Sequence, residues 1–256
     1  RIALVSVGVP GLLLAFFMAK LLREPARGTF ETAEPLPSPP ILTTAAAMWS
    51  NPAMRHMMAG GVIAGLMSYG LTQWLPTFFI RTHELSQSEA GMMIAGVFGI
   101  SGAIGALVVG KFFDRLSIRG FQYGLWMLAM VPFVSIPLFV MGLFADNLTT
   151  AILLFIIPGF FANSFMGPSL AMVQTLSPVH MRAVSSAIMM LCLNLIGLGL
   201  GPLLVGVLSD ILSTVYGKGS LSVALACFGL FAFWGSLHFW FCGRALSKQK
   251  TQGRTG

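Results

Sequence analysis

The chain is predicted to be an all-α bundle embedded in a membrane, and three observations predict it. Hydrophobic residues fill 56% of the 256 positions and charged residues only 9%, where a soluble domain carries roughly 25% charged. Twenty-one Phe and sixteen Met stand beside fifteen Lys and Arg and eight Asp and Glu. That is too little charge for a water-facing surface and too much apolar surface for a disordered chain. The apolar residues also gather in continuous runs of about the ~20 residues that a helix needs to cross a bilayer. They lack the period-two alternation of a membrane barrel.

Seven such runs occur, at about 1–22, 57–80, 90–110, 121–144, 150–175, 184–209 and 220–243, none with a charged residue well inside it. Backbone groups in lipid must pair within their own segment, so each run is expected to be a helix. The first opens at Arg1 with no basic leader and no cleavage site, so it does not read as a signal peptide. It is expected to be the last helix of a part that precedes this chain. Residues 23–56 follow as a linker. Its stretch Glu31-Thr32-Ala33-Glu34-Pro35-Leu36-Pro37-Ser38-Pro39-Pro40 reads as an extended tether. Residues 45–58 are expected to form a short amphipathic helix. A six-helix bundle spans 57–243, with short connections that favour antiparallel neighbours, and 244–256 form a tail.

Charge fixes the expected orientation. The linker, loops 111–120 and 176–183 and the tail share one side. With Lys20 at the end of run one, that side carries Lys20, Arg23, Arg27, Arg55, Lys111, Arg115, Arg119, Arg182, Arg244, Lys248, Lys250 and Arg254. Only Arg1, Arg81 and Lys218 fall on the other side. The positive-inside rule puts the linker and C-terminus in the cytoplasm of a cell membrane, plasma or inner. The net charge of +7 is thereby accounted for without nucleic acid. Cys192, Cys227 and Cys242 are odd in number and form no paired motif, so they read as small buried hydrophobes.

The helices differ in character with a period of three. Runs one, four and seven are plainly apolar, the fourth with Ser135 as almost its only polar residue and the seventh rich in Phe and Trp. Such helices can face lipid, whereas small and polar residues belong against protein or around water. Peripheral helices at every third place imply two three-helix repeats of inverted topology. In run two, Tyr69, Thr72, Gln73 and Pro76 fall on one helical face, with Trp74 beside them. In run five, Gly159, Asn163 and Gly167 are spaced by four, with Phe160, Met166 and Pro168 alongside. Asn194 in run six joins Gly197 and Gly201 on a face. Tyr69, Thr72, Gln73, Trp74, Phe160, Asn163, Met166 and Asn194 are therefore the candidate lining of a cavity. Gly96, Gly99, Gly102 and Gly105 recur every three residues and allow close backbone approach. Pro76, Pro168, Gly201 and Pro202 mark candidate bends.

Charged motifs sit at the ends. Gly110-Lys111-Phe112-Phe113-Asp114-Arg115 closes run three. Asp114 and Arg115 there, with Arg182 of Pro178-Val179-His180-Met181-Arg182, are candidate gating residues. Arg182 can reach helix C-terminal carbonyls or Asp114. Run six ends Gly201-Pro202-Leu203-Leu204-Val205-Gly206-Val207-Leu208-Ser209-Asp210.

The Gly-x-x-x-Asp-Arg loop resembles the signature loop of the major facilitator superfamily, and the other two motifs resemble its C-terminal half. Leu22-Arg23-Glu24-Pro25-Ala26-Arg27-Gly28 is similar to the motif after the sixth helix in Spinster-like transporters, which carry lysolipids and sphingosine phosphates. The resemblance covers essentially the whole chain, as one helix of the N-terminal half followed by the six-helix C-terminal half. It implies a monomeric rocker-switch transporter of an amphipathic, lipid-like small molecule, and as a second possibility one of another organic solute or drug. It implies no cofactor beyond a proton as coupling ion, with the coupling charges in the absent N-terminal half. Membrane lipids and that half are the implied partners. The residues agree in one respect: no carboxylate lies at membrane depth.

Other chemistries lack their residues. His83-Glu84 begins like a zinc-protease motif, but Gln87 stands where the second His belongs. Intramembrane aspartates are missing. Nothing resembles a selectivity filter or a charged ring. An enzyme and a channel are therefore not expected.

Overall fold

The computed structural model describes residues 2–22 and 39–252. The stretch from Arg23 to Gly28, most of the proline-rich tether and the end of the tail lie outside the described residues. Among the described residues there is no strand. Helix α1 (Ile2–Leu21) contains Pro10, and the large side chains of Val5 and from Val9 onward are largely exposed. Near its end Lys20 Nζ lies 4.6 Å from the centre of the Phe16 ring. It belongs to one compact unit, and the rest of the fold to a second that starts at Ser38.

The second unit begins with α2 (Ile41–Ser50), which buries Thr44 and Met48, one turn apart, and exposes Leu42 and Trp49. Asn51 then breaks the chain. Its side chain accepts from the Ala53 and Met54 N–H groups, and Pro52 takes the first turn, where its missing N–H costs nothing. Helix α3 (Pro52–His83) is thus 32 residues long, roughly 48 Å at 1.5 Å per residue. The expected amphipathic helix over 45–58 is split at this cap, and its second half is the first turn of α3. Helix α3 ends at Glu84, which adopts a left-handed conformation at φ 55. The His83-Glu84 pair is therefore a helix terminus.

Helix α4 (Gln87–Ser117) opens with a capping box, the Ser86 hydroxyl facing the Glu89 N–H while the Glu89 carboxylate accepts from Ser86. It widens into a π-helical turn at Ala95–Ile100. Helix α5 (Phe121–Leu143) carries Pro132 and Pro137. Helix α6 (Leu148–Leu176) is broken by a turn at 162–165 between Leu148–Phe161 and Met166–Leu176. Helix α7 (182–216) has its own π-helical turn at Leu193–Leu198. After the turn at Gly217, whose φ of 50 suits glycine, α8 (220–252) runs back. The Ser209 and Ser220 hydroxyls meet at 3.3 Å inside this hairpin.

The stretches Gln87–Ser117, Phe121–Leu143, Leu148–Leu176 and Val179–Gln249, the last holding both α7 and α8, are long and apolar enough to cross a membrane. Helix α3 is long enough, but Ser68, Tyr69, Thr72 and Gln73 dilute its hydropathy.

Helices α3–α5 and α6–α8 form two triplets, and the middle helix of each carries the π turn. That middle helix also packs through glycine on the first helix of the other triplet. A Cβ at Gly105 of α4 would overlap the Phe160 carbonyl of α6. On the other side, a Cβ at Gly201 of α7 would lie 2.6 Å from the Leu66 carbonyl oxygen and 3.0 Å from the Gly70 nitrogen of α3. Small residues at these crossings let backbones touch, the usual way helices associate in lipid. The glycine stripe of α4 serves this role only in part: Gly102 and Gly105 face α6, while Gly96 and Gly99 lie in the π turn with open space around them.

Candidate functional site

Helix α3 packs on α6, α7 and α8, and α5 packs on α4, α6 and α8. A ring of four helices results, in the order α3, α8, α5, α6. Inside it lies a cleft of about 120 Å³. Ala64, Met67, Ser68, Leu71 and Thr72 of α3 form one face of it, spaced as one helical stripe. Helix α5 contributes Leu128, Val131, Pro132, Ser135, Ile136 and Phe139; α6 contributes Pro158, Phe161, Ala162, Ser164 and Phe165 around its break. Gly235, Ser236 and Phe239 of α8 close the back, with Phe98 of α4.

The wall is apolar with five hydroxyls set into it. Ser135 donates to the Val131 carbonyl at 3.0 Å and Ser164 to the Phe161 carbonyl at 2.8 Å. Ser236 donates across to the Ala129 carbonyl of α5. Each hydroxyl keeps acceptor capacity after donating its one proton. Pro132 and Pro158 leave the carbonyls one turn before them without their usual helix donor. At one edge, Ser68 donates to the side-chain oxygen of Asn163 at 3.3 Å. Among the described residues no charged side chain lines the cleft. It can therefore hold an apolar body and satisfy a few hydrogen-bonding groups, and it would exclude a strongly charged one.

The sequence-predicted residues do not gather in one place. Thr72 lines the cleft, and Asn163, exposed, binds Ser68 at its lip. Tyr69, half-buried, lays its ring against Gly197 of the α7 π turn. Trp74 donates its indole N–H to the Pro202 carbonyl at 2.8 Å. Gln73 is exposed and Pro76 half-buried, and neither lines the cleft. Phe160 stacks edge-on with Phe161 at 5.1 Å, and Met166 packs on the bundle core. Asn194 returns its amide to the Met190 carbonyl one turn back, at 2.8 Å.

Among the candidate gating residues, Asp114 and Arg115 are exposed at the end of α4, and no ion pair to Asp114 is found among the described residues. Arg182 takes the carbonyl partner, with Nε 3.4 Å from the oxygen of Ser177, which caps α6. Pro168 is buried in the first turn after the α6 break.

The sequence reading missed Ser68, Ser164, Ser236 and the aromatic walls, and it placed α5 and α8 at the periphery, whereas both line the cleft. In the structure α5 and α8 each have two faces. Met130, Phe133 and Val134 of α5 and Trp234 and Leu237 of α8 are exposed, while Ser135, Phe139, Ser236 and Phe239 are buried around the cleft. The signal available was a serine within one turn of a proline at membrane depth, as at Pro132 and Ser135.

Comparison with known proteins bears on this arrangement. A family model for the Major Facilitator Superfamily matches residues 1–202. An "MFS-type efflux pump" of Mycolicibacterium smegmatis is 31% identical over 195 residues, which cover 74% of this chain and 45% of that protein. Among solved structures, a bacterial homologue of the human lysosomal transporter Spinster superposes in its inward-facing, unoccupied conformation. Its TM-score is 0.73 at 19% identity, covering 97% of this chain and 60% of the other. Its inward-facing, occupied conformation gives 0.68 at 18% identity, covering 95% and 57%. At these identities the structures share a fold, and the chain spans less than half of its curated relative.

Proposed function

The chain belongs to the Major Facilitator Superfamily, a family of multi-pass membrane transporters, and on that premise we propose that it supplies one half of the solute pathway of a secondary transporter for an amphipathic small molecule. The single observation behind the substrate class is the uncharged cleft of about 120 Å³ with five hydroxyls in an apolar wall. Transport by alternating access needs a site that binds from either side and releases. An apolar pocket with a few weak hydrogen bonds suits a molecule with an apolar body and a small polar part. The lipid-like substrate is the finer reading. A second reading, export of another organic solute or drug, is favoured by the efflux pump to which the chain is 31% identical.

In this reading α1 is the last helix of the N-terminal six-helix half, which supplies the other half of the pathway. The transporter works as a monomer among membrane lipids, with linker and tail in the cytoplasm of a cell membrane, as the basic loops suggest. It uses no cofactor, and a proton is its coupling ion, bound in the other half.

The test is uptake of a fluorescent lysolipid into liposomes holding the complete protein. Saturable uptake is expected, with KM raised about tenfold when Ala162→Trp fills the cleft. Uptake that never saturates, or a KM indifferent to the cleft-filling variant, would overturn the proposal.

A further inference from the structure

Outside the cleft, two titratable rings on different helices meet. His56, in the first turns of α3, and His238 of α8 have their Nδ1 atoms 3.0 Å apart, with ring centres at 5.2 Å. Both are half-buried. Phe241 packs on His56 at 5.3 Å and Trp234 on His238 at 6.1 Å. We propose that this pair is a one-proton binding site that clamps α3 to α8 at the cytoplasmic side of the cleft.

The chemistry follows from the inventory of imidazole. Two nitrogens 3.0 Å apart form a hydrogen bond only if one carries a proton and the other a bare lone pair. The neutral pair therefore needs one ring in the Nδ1–H form, donating, and the other in the Nε2–H form, accepting. The first added proton goes to the free Nε2 of the donor ring. That ring becomes an imidazolium, its Nδ1–H still donates, and the bond is now charge-assisted and stronger. A second proton has only the acceptor's Nδ1 left to occupy. Two N–H groups would then point at each other and two like charges would share the site, so the contact must open. The closed pair holds one proton and no more, and its two titration steps belong to the pair.

The charged surroundings act in one direction. Arg55 is adjacent on α3, and together with burial, the larger effect, it holds His56 below the ordinary His range. The neighbouring helices α2, α5 and α6 contain no charged residue, and Arg182 at the start of α7 is exposed and donates to the Ser177 carbonyl. On α8, Arg244 and Lys248 lie further toward the tail and are exposed. Among the described residues no carboxylate lies against either ring to offset a second proton.

The pair is coupled to the cleft through its immediate neighbours. Phe239 follows His238 in sequence and lines the cleft, as does Ser236. The Phe239 ring lies against Gly60, one turn from His56, where a Cβ would be 3.2 Å from it. Opening the pair moves this contact and with it the cleft's cytoplasmic wall. The inference depends on the α3/α8 seam alone and stands apart from the substrate proposal.

The test is two-bond ¹H–¹⁵N correlation of the histidine rings in the complete protein in lipid nanodiscs, titrated from pH 8.5 to 4.5. His56→Gln and His238→Gln, made singly, assign the signals. At high pH one ring of the pair is expected as the Nδ1–H tautomer. On acidification the pair should titrate in two steps at least tenfold apart in proton affinity. In either variant the surviving ring should titrate once, between those steps. Two Nε2–H tautomers at high pH in the unmodified protein overturn the proposal, whether or not the variants fold. A single shared midpoint that neither substitution moves overturns it equally.

Discussion

Trp74 and Pro202 are joined across the seam between α3 and α7. The indole N–H donates to the prolyl carbonyl at 2.8 Å, and the same ring covers Gly206, where a Cβ would lie 2.9 Å from it. One side chain thus bridges the first helix of one triplet and the middle helix of the other, just beyond the Gly201 crossing.

Replacing Trp74 by Phe should weaken this seam. The Pro202 carbonyl, inside α7, keeps its helical donor, and the hydrogen bond from the indole is worth about 1 kcal/mol net. For a chain of this size that corresponds to a fall in Tm of roughly 2–4 °C, measured on the complete protein in detergent. An unchanged Tm would mean that the indole adds nothing to the helical bond the Pro202 carbonyl already accepts.

The glycines of α4 should separate into two classes. Gly105→Ala drives a methyl group into the Phe160 carbonyl, which is backbone and cannot rotate away. Overpacking of this kind costs about 1–3 kcal/mol or more. Gly96→Ala meets open space in the π turn and should be neutral or slightly stabilising. Thermal melts of the two variants side by side check the order, and equal destabilisation would contradict the α4/α6 crossing.

Hydropathy alone made the helices legible, because runs without charge leave the backbone no other choice in lipid. The ends were less legible. Asn51 caps α3 six residues before the apolar run begins, and a cap depends on one side chain rather than on a run. The reading of α6 failed for a definite reason. Gly159, Asn163 and Gly167 share a face only if the helix is continuous. The turn at 162–165 interrupts it: Gly159 is buried against the Val97 carbonyl, whereas Gly167 has open space around it. The cleft was hidden because two of its five hydroxyls, those of Ser135 and Ser236, stand on helices that are otherwise mostly apolar. Ser135 and Ser236 become meaningful only when the four-helix ring sets them facing one another.

Breaking the lip of the cleft should affect binding more than stability. Ser68 and Asn163 are joined at 3.3 Å on the exposed edge, where water can replace either partner. Ser68→Ala or Asn163→Ala should therefore change Tm by less than about 0.5 kcal/mol equivalent. On the substrate proposal above, either change should raise KM for lysolipid uptake several-fold with kcat retained. Loss of kcat alone would place Asn163 in conformational exchange instead of substrate binding.

Acid should loosen the end of α3 opposite the basic loops, through His83. Its ring packs on Phe78 at 5.7 Å and Phe79 at 6.1 Å, and its Nε2 is buried without a hydrogen-bond partner. Burial holds its pKa below the ordinary value, so the folded state disfavours the charged ring. The unfolded chain then binds more protons in the interval between the two values, and stability rises with pH there. The contribution is complete above about pH 6.5, the value for a free His, and is lost as pH falls through the folded value. His83→Phe keeps the aromatic packing and removes the titration. The drop in Tm between pH 7.5 and pH 5 should be smaller in that variant than in the unmodified protein. An equal drop would show that His83 escapes to solvent once charged.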